Sequence, residues 1–565
     1  MATEPKGSPD DAERDANPSE PPPEEHAPSV DESPPAARAA TSDPPSGDDR
    51  SEAVTASAVF PGESPLDGST LRSVAATPTG EVAEVVAAAR AAQAEWATLA
   101  VVDRIHAIAK VKRRILERAE EIADLVHREV GKPIEEVVLA EVLPNADLVD
   151  WWCDSIEELV DGTPVDLDPI SYPSKRGRIH HDPRGVVALI APWNYPVAIP
   201  LRTLIPALLA GNAVVFKPSE VAPRSGALVA SLFADVVPDG LVGLIQGGAE
   251  QGRALVAEAV DLVVFTGSVA TGKAIAVACA ERLVPCSLEL GGKDAAIVLG
   301  DCRLERTAQG IVWGAFTNAG QNCSAIERVY VEKAIADPLI ERIVAITKEL
   351  REGTDTAVMT TLAGRRVVDE QLDGALSEGA ELLTGGKPED EAALTYPPTV
   401  LKLAKTDGAL LTEETFGPVL PIVVVDSEDE AIERANESRY ALTTSIWTKR
   451  IRHGHQLARR LRAGVVTINN HAFTAALPAA PWTGIADTGG GITNSPHALS
   501  ALTRVRFVLE DRNRGARELW WYPYTPVLRT IAFAMARLRG GAGLFGRLVA
   551  FFQLLIAIPK RLLGR

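Results

Sequence analysis

Three residues of this chain have types and surroundings suited to joint chemistry: Cys323, Glu289 and Asn194. Cys323 stands in Gly320-Gln321-Asn322-Cys323-Ser324, a glycine-flanked polar stretch between a helical pattern and a strand pattern. A thiol becomes a nucleophile when it is accessible and its surroundings help it lose a proton. Taken alone, a single cysteine is more often an inert core residue. Glu289 lies in Leu288-Glu289-Leu290-Gly291-Gly292-Lys293. A carboxylate between leucines is poorly solvated, which raises its pKa towards that of a general base working near neutral pH. An exposed strand end would carry the same residues. Asn194 sits in Ala191-Pro192-Trp193-Asn194-Tyr195-Pro196, where two prolines fix the turn. Its amide can donate to a developing oxyanion, or it can simply form the turn.

Two further segments have the chemistry of a nucleotide site. In Phe216-Lys217-Pro218-Ser219-Glu220, Lys217 and Glu220 could bracket the hydroxyls of a ribose. In Phe265-Thr266-Gly267-Ser268, with Gly272 five residues beyond Gly267, backbone N–H groups and a helix start can approach a pyrophosphate. This is not the Gly-x-Gly-x-x-Gly fingerprint. No His-Glu-x-x-His or zinc-spaced ligand cluster occurs, so the reading assigns no metal.

The elements that must position these residues follow from hydrophobic periodicity. Spacings of three and four predict helix from Glu81 to Val130. After Pro183 strands and helices alternate: strand Gly185 to Pro192, helix Ile199 to Leu209, strand Ala213 to Phe216 and helix Ser225 to Val236. Strand Val242 to Ile245, helix Gly252 to Ala257 and strand Leu262 to Phe265 come next. Alternation of this kind implies a mostly parallel, doubly wound sheet whose ligands sit at the carboxyl ends of the strands. A second α/β region begins near Glu289, with strands at 295–299, 328–331, 421–425 and 443–447 and helices at 304–317, 336–350 and 428–436.

The chain has 565 residues, too many for one simple domain, and its hydrophobic fraction of 46% is that of a globular protein. Its net charge of −19 argues against a nucleic-acid partner. Residues 1–57, rich in Pro, Asp, Glu and Ser, hold fourteen acidic against four basic residues and read as a disordered tail. Five cysteines without a CxxC pair, and no signal-like N-terminus, point to a reducing cytoplasm. Residues 520–565 contain no Asp or Glu and seven Arg or Lys, and open with Trp520, Trp521, Tyr522 and Tyr524. The longest uncharged stretch there, Leu548 to Pro559, is too short to cross a bilayer but suits an interfacial helix at a membrane surface. A tail that packs on its own protein or a partner subunit is the other reading.

Taken in order, Pro192-Trp193-Asn194-Tyr195-Pro196, Lys217-Pro218-Ser219-Glu220, Phe265-Thr266-Gly267-Ser268, Glu289-Leu290-Gly291-Gly292-Lys293, Gly320-Gln321-Asn322-Cys323 and the Glu413-to-Val419 segment EETFGPV resemble the aldehyde dehydrogenase superfamily. The resemblance covers roughly 81–509, and finer features look like a branch of semialdehyde and lipophilic-aldehyde dehydrogenases. It implies an α/β chain with a Rossmann-like cofactor domain (58–288, with an oligomerisation hairpin about 171–184), an α/β catalytic domain (289–475) and a return segment (476–512) completing a small β oligomerisation element. It implies oxidation of an aldehyde to an acid through a thioester on Cys323, with Glu289 activating water and Asn194 and the Cys323 backbone N–H as oxyanion hole. Pro192, Trp193, Lys217, Ser219, Glu220, Gly267, Ser268, Glu414 and Phe416 would contact the cofactor. That cofactor would be NAD, with NADP as the alternative; the Glu220 carboxylate would repel a 2′-phosphate. Expected partners are a small-molecule aldehyde and a homodimer or homotetramer. If Arg202 or Arg328 faces the substrate tunnel, it would meet the carboxylate of a semialdehyde. The chain departs from the family at 481–491, where Thr483 replaces a glycine and Thr488 a serine.

Overall fold

A computed structural model describes residues 59–562 apart from 170, 406 and 472; the acidic tail lies outside the described residues. The N-terminal periodicity resolves into α1 (Val82–Trp96), α2 (Val101–Glu117) and α3 (Ala119–Val130), followed by α4 (Leu143–Val160). Each turns its apolar stripe inward, so that Val86, Ile108, Ile122 and Trp152 are fully or almost fully buried. α3 stops at Gly131, whose φ of 82° only glycine adopts cheaply.

The strands fall into three main sheets. β1 (Thr163–Val165) and β2 (Lys175–Pro183) form an antiparallel hairpin. β3 (Val186–Ile190), β4 (Ala213–Lys217), β5 (Val242–Leu244), β6 (Leu262–Thr266) and β7 (Cys286–Glu289) make a five-stranded parallel sheet in the order β5-β4-β3-β6-β7. Its crossovers carry α5 (Ala198–Leu209), α6 (Pro223–Ser231), α7 (Ala249–Ala257) and α8 (Val269–Glu281). β3 and β4 are buried throughout, which is why they read as unbroken apolar runs. The helix expected to reach Val236 ends at Ser231, and the chain turns through Asp235 at a φ of 55°.

The second sheet has seven strands: β8 (Asp294–Val298), β9 (Ile326–Glu332), β10 (Glu381–Thr384), β11 (Thr399–Lys402), β12 (Val419–Val425), β13 (Thr443–Trp447) and β14 (Val465–Ile468), in the order β10-β11-β12-β9-β8-β13-β14. All pairs are parallel except β10 with β11. α9 (Leu304–Phe316), α10 (Ala336–Glu349), α11 (Leu362–Ser377) and α12 (Glu428–Asn436) accompany it. Near the end of the chain, β15 (Thr503–Asp511) pairs along the whole of β2, giving a three-stranded antiparallel sheet. The expected hairpin therefore begins earlier, at Thr163, and takes its third strand from over 300 residues away in sequence. The C-terminal region holds two helices rather than one, α13 (Pro526–Ala536) and α14 (Leu544–Leu562).

Candidate active site

Every motif of the first sheet leaves the carboxyl end of a strand. Trp193 and Asn194 follow β3, Lys217 ends β4, Gly267 and Ser268 follow β6, and Glu289 ends β7. In the order β5-β4-β3-β6-β7 the crossovers run opposite ways from β3, which opens the ligand crevice of a doubly wound sheet there. Cys323 arrives from the other sheet, on the loop between α9 and β9.

That loop is bound tightly. Asn318 and Ala319 take left-handed conformations (φ 50° and 53°). The cost of such backbone is offset by hydrogen bonds. Asn318 donates its backbone N–H to Glu136 Oε2 (3.1 Å) and its amide to the carbonyls of Asn194 (3.2 Å) and Gln321 (3.0 Å). Gln321 donates to Asn318 O and Val358 O (both 3.0 Å) and accepts from the Thr360 N–H (2.9 Å). His471 Nε2 lies 2.8 Å from Ser324 O; burial holds this imidazole down at about 4, so it is neutral and donates that hydrogen bond. From the opposite side, Gly292 comes so close that a Cβ there would lie 2.0 Å from Cys323 O.

Asn194 is 3% exposed and its amide nitrogen donates to Gln321 O at 3.1 Å, two residues before the cysteine. An amide NH2 has two hydrogens, so this bond uses only one of them. The Asn194 carbonyl is gripped by Lys132 Nζ (2.8 Å), which pairs with Glu141 (2.5 Å); both side chains are fully buried. The other oxygen of Glu141 accepts the N–H groups of Val197 (2.8 Å) and Ala198 (3.2 Å) at the start of α5. Lys132 and Glu141 thus fix the turn that carries Asn194. Sequence reasoning missed both: Lys132 stands in a Gly-Lys-Pro turn and Glu141 follows Glu135 and Glu136, so neither stands out locally.

Burial pushes the Glu289 carboxyl up to about 7, and its Oε1 is buried without a hydrogen-bond partner. Burial, with the nearby Asp294, Glu414 and Glu289 carboxylates, also pushes the Cys323 thiol far up. Both groups line one cavity of about 600 Å³. Its walls include Leu139, Ile199, Val312, Trp313, Phe473 and Trp482. Arg202 also lines it; among the described residues no acidic group lies within ion-pairing distance of its guanidinium. Arg328 does not reach the cavity: its Nε donates to Lys293 O (2.8 Å) and its other nitrogens to Tyr330 and the end of α12. The expectation that Arg328 could meet substrate is corrected by this burial.

The nucleotide segments have a matching arrangement. Lys217 Nζ is 3.6 Å from Glu220 Oε2 and donates to Pro218 O at 2.9 Å. The Ser219 hydroxyl accepts Val221 N–H within its own turn (3.2 Å). The Gly267 N–H is taken by Glu289 O (3.1 Å), so the donors open to a phosphate are those of the first turn of α8, which Ser268 caps. Glu414, pushed up to about 7 by burial and by Glu327, accepts Gly292 N–H at 3.0 Å. Glu327, paired with Lys293 (2.5 Å), takes the N–H groups of Thr415 (2.8 Å) and Phe416 (2.9 Å), and Phe416 meets Trp193 edge-on at 5.8 Å. A cation and a carboxylate at one strand end, a free helix start at the next and an aromatic shelf beyond them form a donor set that fits an extended dinucleotide.

Residues 53–508 match the aldehyde dehydrogenase family. The chain belongs to that family. It is accordingly an oxidoreductase acting on aldehydes, with the α/β fold expected. It is 32% identical over 471 residues to a 4,4'-diapolycopene aldehyde oxidase of Methylomonas sp (82% of this chain, 88% of the relative). It is also 32% identical over 477 residues to a putative succinate-semialdehyde dehydrogenase [NADP(+)] 2 of Mycobacterium bovis (strain BCG / Pasteur 1173P2), covering 80% of this chain and 91% of that protein. Among solved structures it is similar to PnpE, known from Pseudomonas sp. WBC-3. The complex of PnpE with nicotinamide adenine dinucleotide aligns at TM-score 0.77 and 32% identity, over 82% of this chain and 96% of that one. Against the family pattern, the departure at Thr488 is chemically mild. Its hydroxyl donates to Gly291 O (2.9 Å) and accepts Ala441 N–H (3.0 Å), work a serine hydroxyl could also do.

Proposed function

We propose that this enzyme oxidises an apolar, long-chain or terpenoid aldehyde to its carboxylic acid with NAD(P), by way of a thioester on Cys323. The observation that carries the proposal is the meeting of Cys323 and Glu289 in one largely apolar cavity, with Asn194 hydrogen-bonded to the backbone two residues before the cysteine. Lys217, Glu220, the first turn of α8, Glu414 and Phe416 would hold the dinucleotide, whose nicotinamide accepts a hydride. NAD is the preferred form, because the Glu220 carboxylate lies where a 2′-phosphate would be repelled.

The steps assigned to the chain's own residues are these. The Cys323 thiol is protonated at rest, and Glu289, at about 7, is the nearby group able to take that proton. The thiolate adds to the aldehyde carbon, and the remaining Asn194 amide hydrogen with the Cys323 backbone N–H stabilises the oxyanion. Departure of hydride leaves a thioester. Glu289 releases the thiol proton to solvent, then draws a proton from water as the hydroxide adds to the thioester carbon; the acid leaves, and the expelled Cys323 thiolate takes that proton back from Glu289 to restore the thiol.

The apolar walls favour a lipophilic chain, and the substrate named for the Methylomonas relative is of that kind. Such a substrate partitions into lipid, so a peripheral place at a membrane through 520–565 goes with this reading, as does a homo-oligomer joined through the β2–β15 sheet. A second reading rests on Arg202: an unpaired guanidinium in the cavity suits a carboxylate-bearing semialdehyde, the substrate named for the mycobacterial relative. The test follows reduced-cofactor absorbance with NAD and then NADP, over aldehydes from succinic semialdehyde to long chains, with Cys323→Ala as control. Cys323-dependent turnover rising with chain length supports the first reading. Preference for the semialdehyde that Arg202→Met removes supports the second. No turnover with any aldehyde overturns both.

A further inference from the structure

The hairpin of α13 and α14 exposes a surface poorly suited to water. α14 buries only a narrow stripe, Ala550, Ala557 and Arg561, and α13 buries Ile531 and Ala534. The outer face of α14 presents Phe545 (80% exposed), Leu548 (54%), Phe551 (48%), Phe552 (56%), Leu555 (56%) and Ile556 (60%). At about 100° per residue these six fall within an arc of about 140°, and Arg547 and Lys560 lie about 40° beyond its two borders. The loop before α13 adds Trp520, Trp521, Tyr522 and Tyr524, all exposed. Soluble proteins seldom leave so much contiguous apolar surface uncovered.

Three observations identify what covers it. First, residues 520–565 carry seven Arg or Lys and no acid within a chain of net charge −19, so this region is opposite in charge to the whole and invites an anionic partner. Second, the apolar sector bordered by cations, next to an aromatic cluster, matches the layering of a bilayer surface: hydrocarbon, then phosphate, then headgroups that accept Trp and Tyr. Third, no helix among the described residues is long and apolar enough to cross a membrane, which leaves the plane of the surface.

The hairpin is also tied to the body of the enzyme. Arg561 folds back to donate to Leu519 O (3.3 Å) and to Trp521 O. Lys175 of β2 bonds Glu518 at 2.9 Å and lies 5.3 Å from the Trp520 ring, and Arg539 reaches Ser171.

We propose that α13–α14 is an in-plane anchor for an anionic phospholipid surface. The Phe/Leu face of α14 enters the boundary between headgroups and acyl chains. Trp520 to Tyr524 lie at headgroup level, and Arg547 and Lys560 extend to lipid phosphates. The proposal specifies the peripheral placement given above and does not depend on which aldehyde is oxidised.

The full-length protein would be sedimented with vesicles of phosphatidylcholine alone and of an equimolar phosphatidylcholine–phosphatidylglycerol mixture. The wild type should sediment with the mixed vesicles and much less with phosphatidylcholine. Two exposed-face variants, Phe551→Ser with Phe552→Ser and Arg547→Glu with Lys560→Glu, should each bind at least about tenfold more weakly. Oxidation of a short, water-soluble aldehyde by the same preparations should be unchanged, which separates lost binding from lost folding. Wild type remaining in solution with both vesicles overturns the anchor. Equal binding to both vesicle types overturns its anionic selectivity. An assembly that falls apart in the Phe551→Ser, Phe552→Ser variant, without lipid binding by the wild type, makes the occupant a second copy of this chain. Vesicle binding without oxidation of any aldehyde would sink the enzymatic reading and leave the anchor standing.

Discussion

The cleft at the sheet ends and the C-terminal hairpin handle polarity in opposite ways. Around the cleft, the charges that hold the framework are buried in pairs. Lys132 with Glu141, and Lys293 with Glu327, are buried ion pairs whose remaining oxygens take backbone N–H groups. Such pairs cost much to desolvate and contribute geometry more surely than stability. The hairpin exposes apolar side chains and, apart from the buried Arg561, leaves the cations of its two helices in solvent. One region is finished in water; the other is complete only against something else.

The largest expected effect comes from removing the proposed nucleophile. Cys323→Ala should abolish reduced-cofactor formation while vesicle sedimentation stays as in the wild type; residual turnover would dissociate the chemistry from this thiol. Glu289→Gln should lower steady-state turnover by about 10²–10⁴-fold. Because Glu289 serves both the thiol and the water, single-turnover formation of reduced cofactor and hydrolysis of the thioester should both slow. Because burial raises this carboxyl to about 7, wild-type turnover should rise with pH through about 7 and level off above it; a profile still flat well below 7 would contradict the assignment. Asn194→Ala should cost about 10²–10³-fold in kcat with a smaller change in KM. Lys132→Met, one hydrogen bond further out, should reproduce part of that loss.

The smallest effect concerns stability. His471 sits near 4 when folded and near its ordinary value of about 6.5 when unfolded, so the unfolded chain takes the proton first as pH falls. Folded-state stability is therefore intact above about 6.5 and lost progressively towards 4, by up to about 3 kcal/mol. Urea midpoints measured at the two ends of that window should converge in His471→Gln more than in the wild type.

Much of the cleft was legible because its residues sit where patterns change, at the ends of apolar strand runs. Glu289 was readable from its leucine neighbours and Cys323 from its glycine-flanked polar loop. What stayed hidden was long-range. Nothing local ties Lys132 to Asn194, Thr360 to Gln321 or His471 to Ser324, since each bond joins segments far apart in sequence. The pairing of β15 with β2 joins equally distant segments and was expected only through the family resemblance, not from any local pattern. Arg202 and Arg328 look alike in sequence; only packing sends one to the cavity and the other into a carbonyl cage. At the hairpin, charge and apolar composition were plain, but the division of α14 into an inner alanine stripe and an outer aromatic face needed the fold.

The contact of Gly292 with the carbonyl of Cys323 bears on how this enzyme can change over time. A single methyl group there would collide with the backbone carbonyl of Cys323, the proposed nucleophile, so the spacing between these two segments has no room for adjustment. New substrate preferences must therefore arise at the sides of the cavity, where half-exposed Trp313 and Phe473 have space to be replaced. The chemistry is mutationally rigid along one axis, and the choice of aldehyde is free to drift along the other.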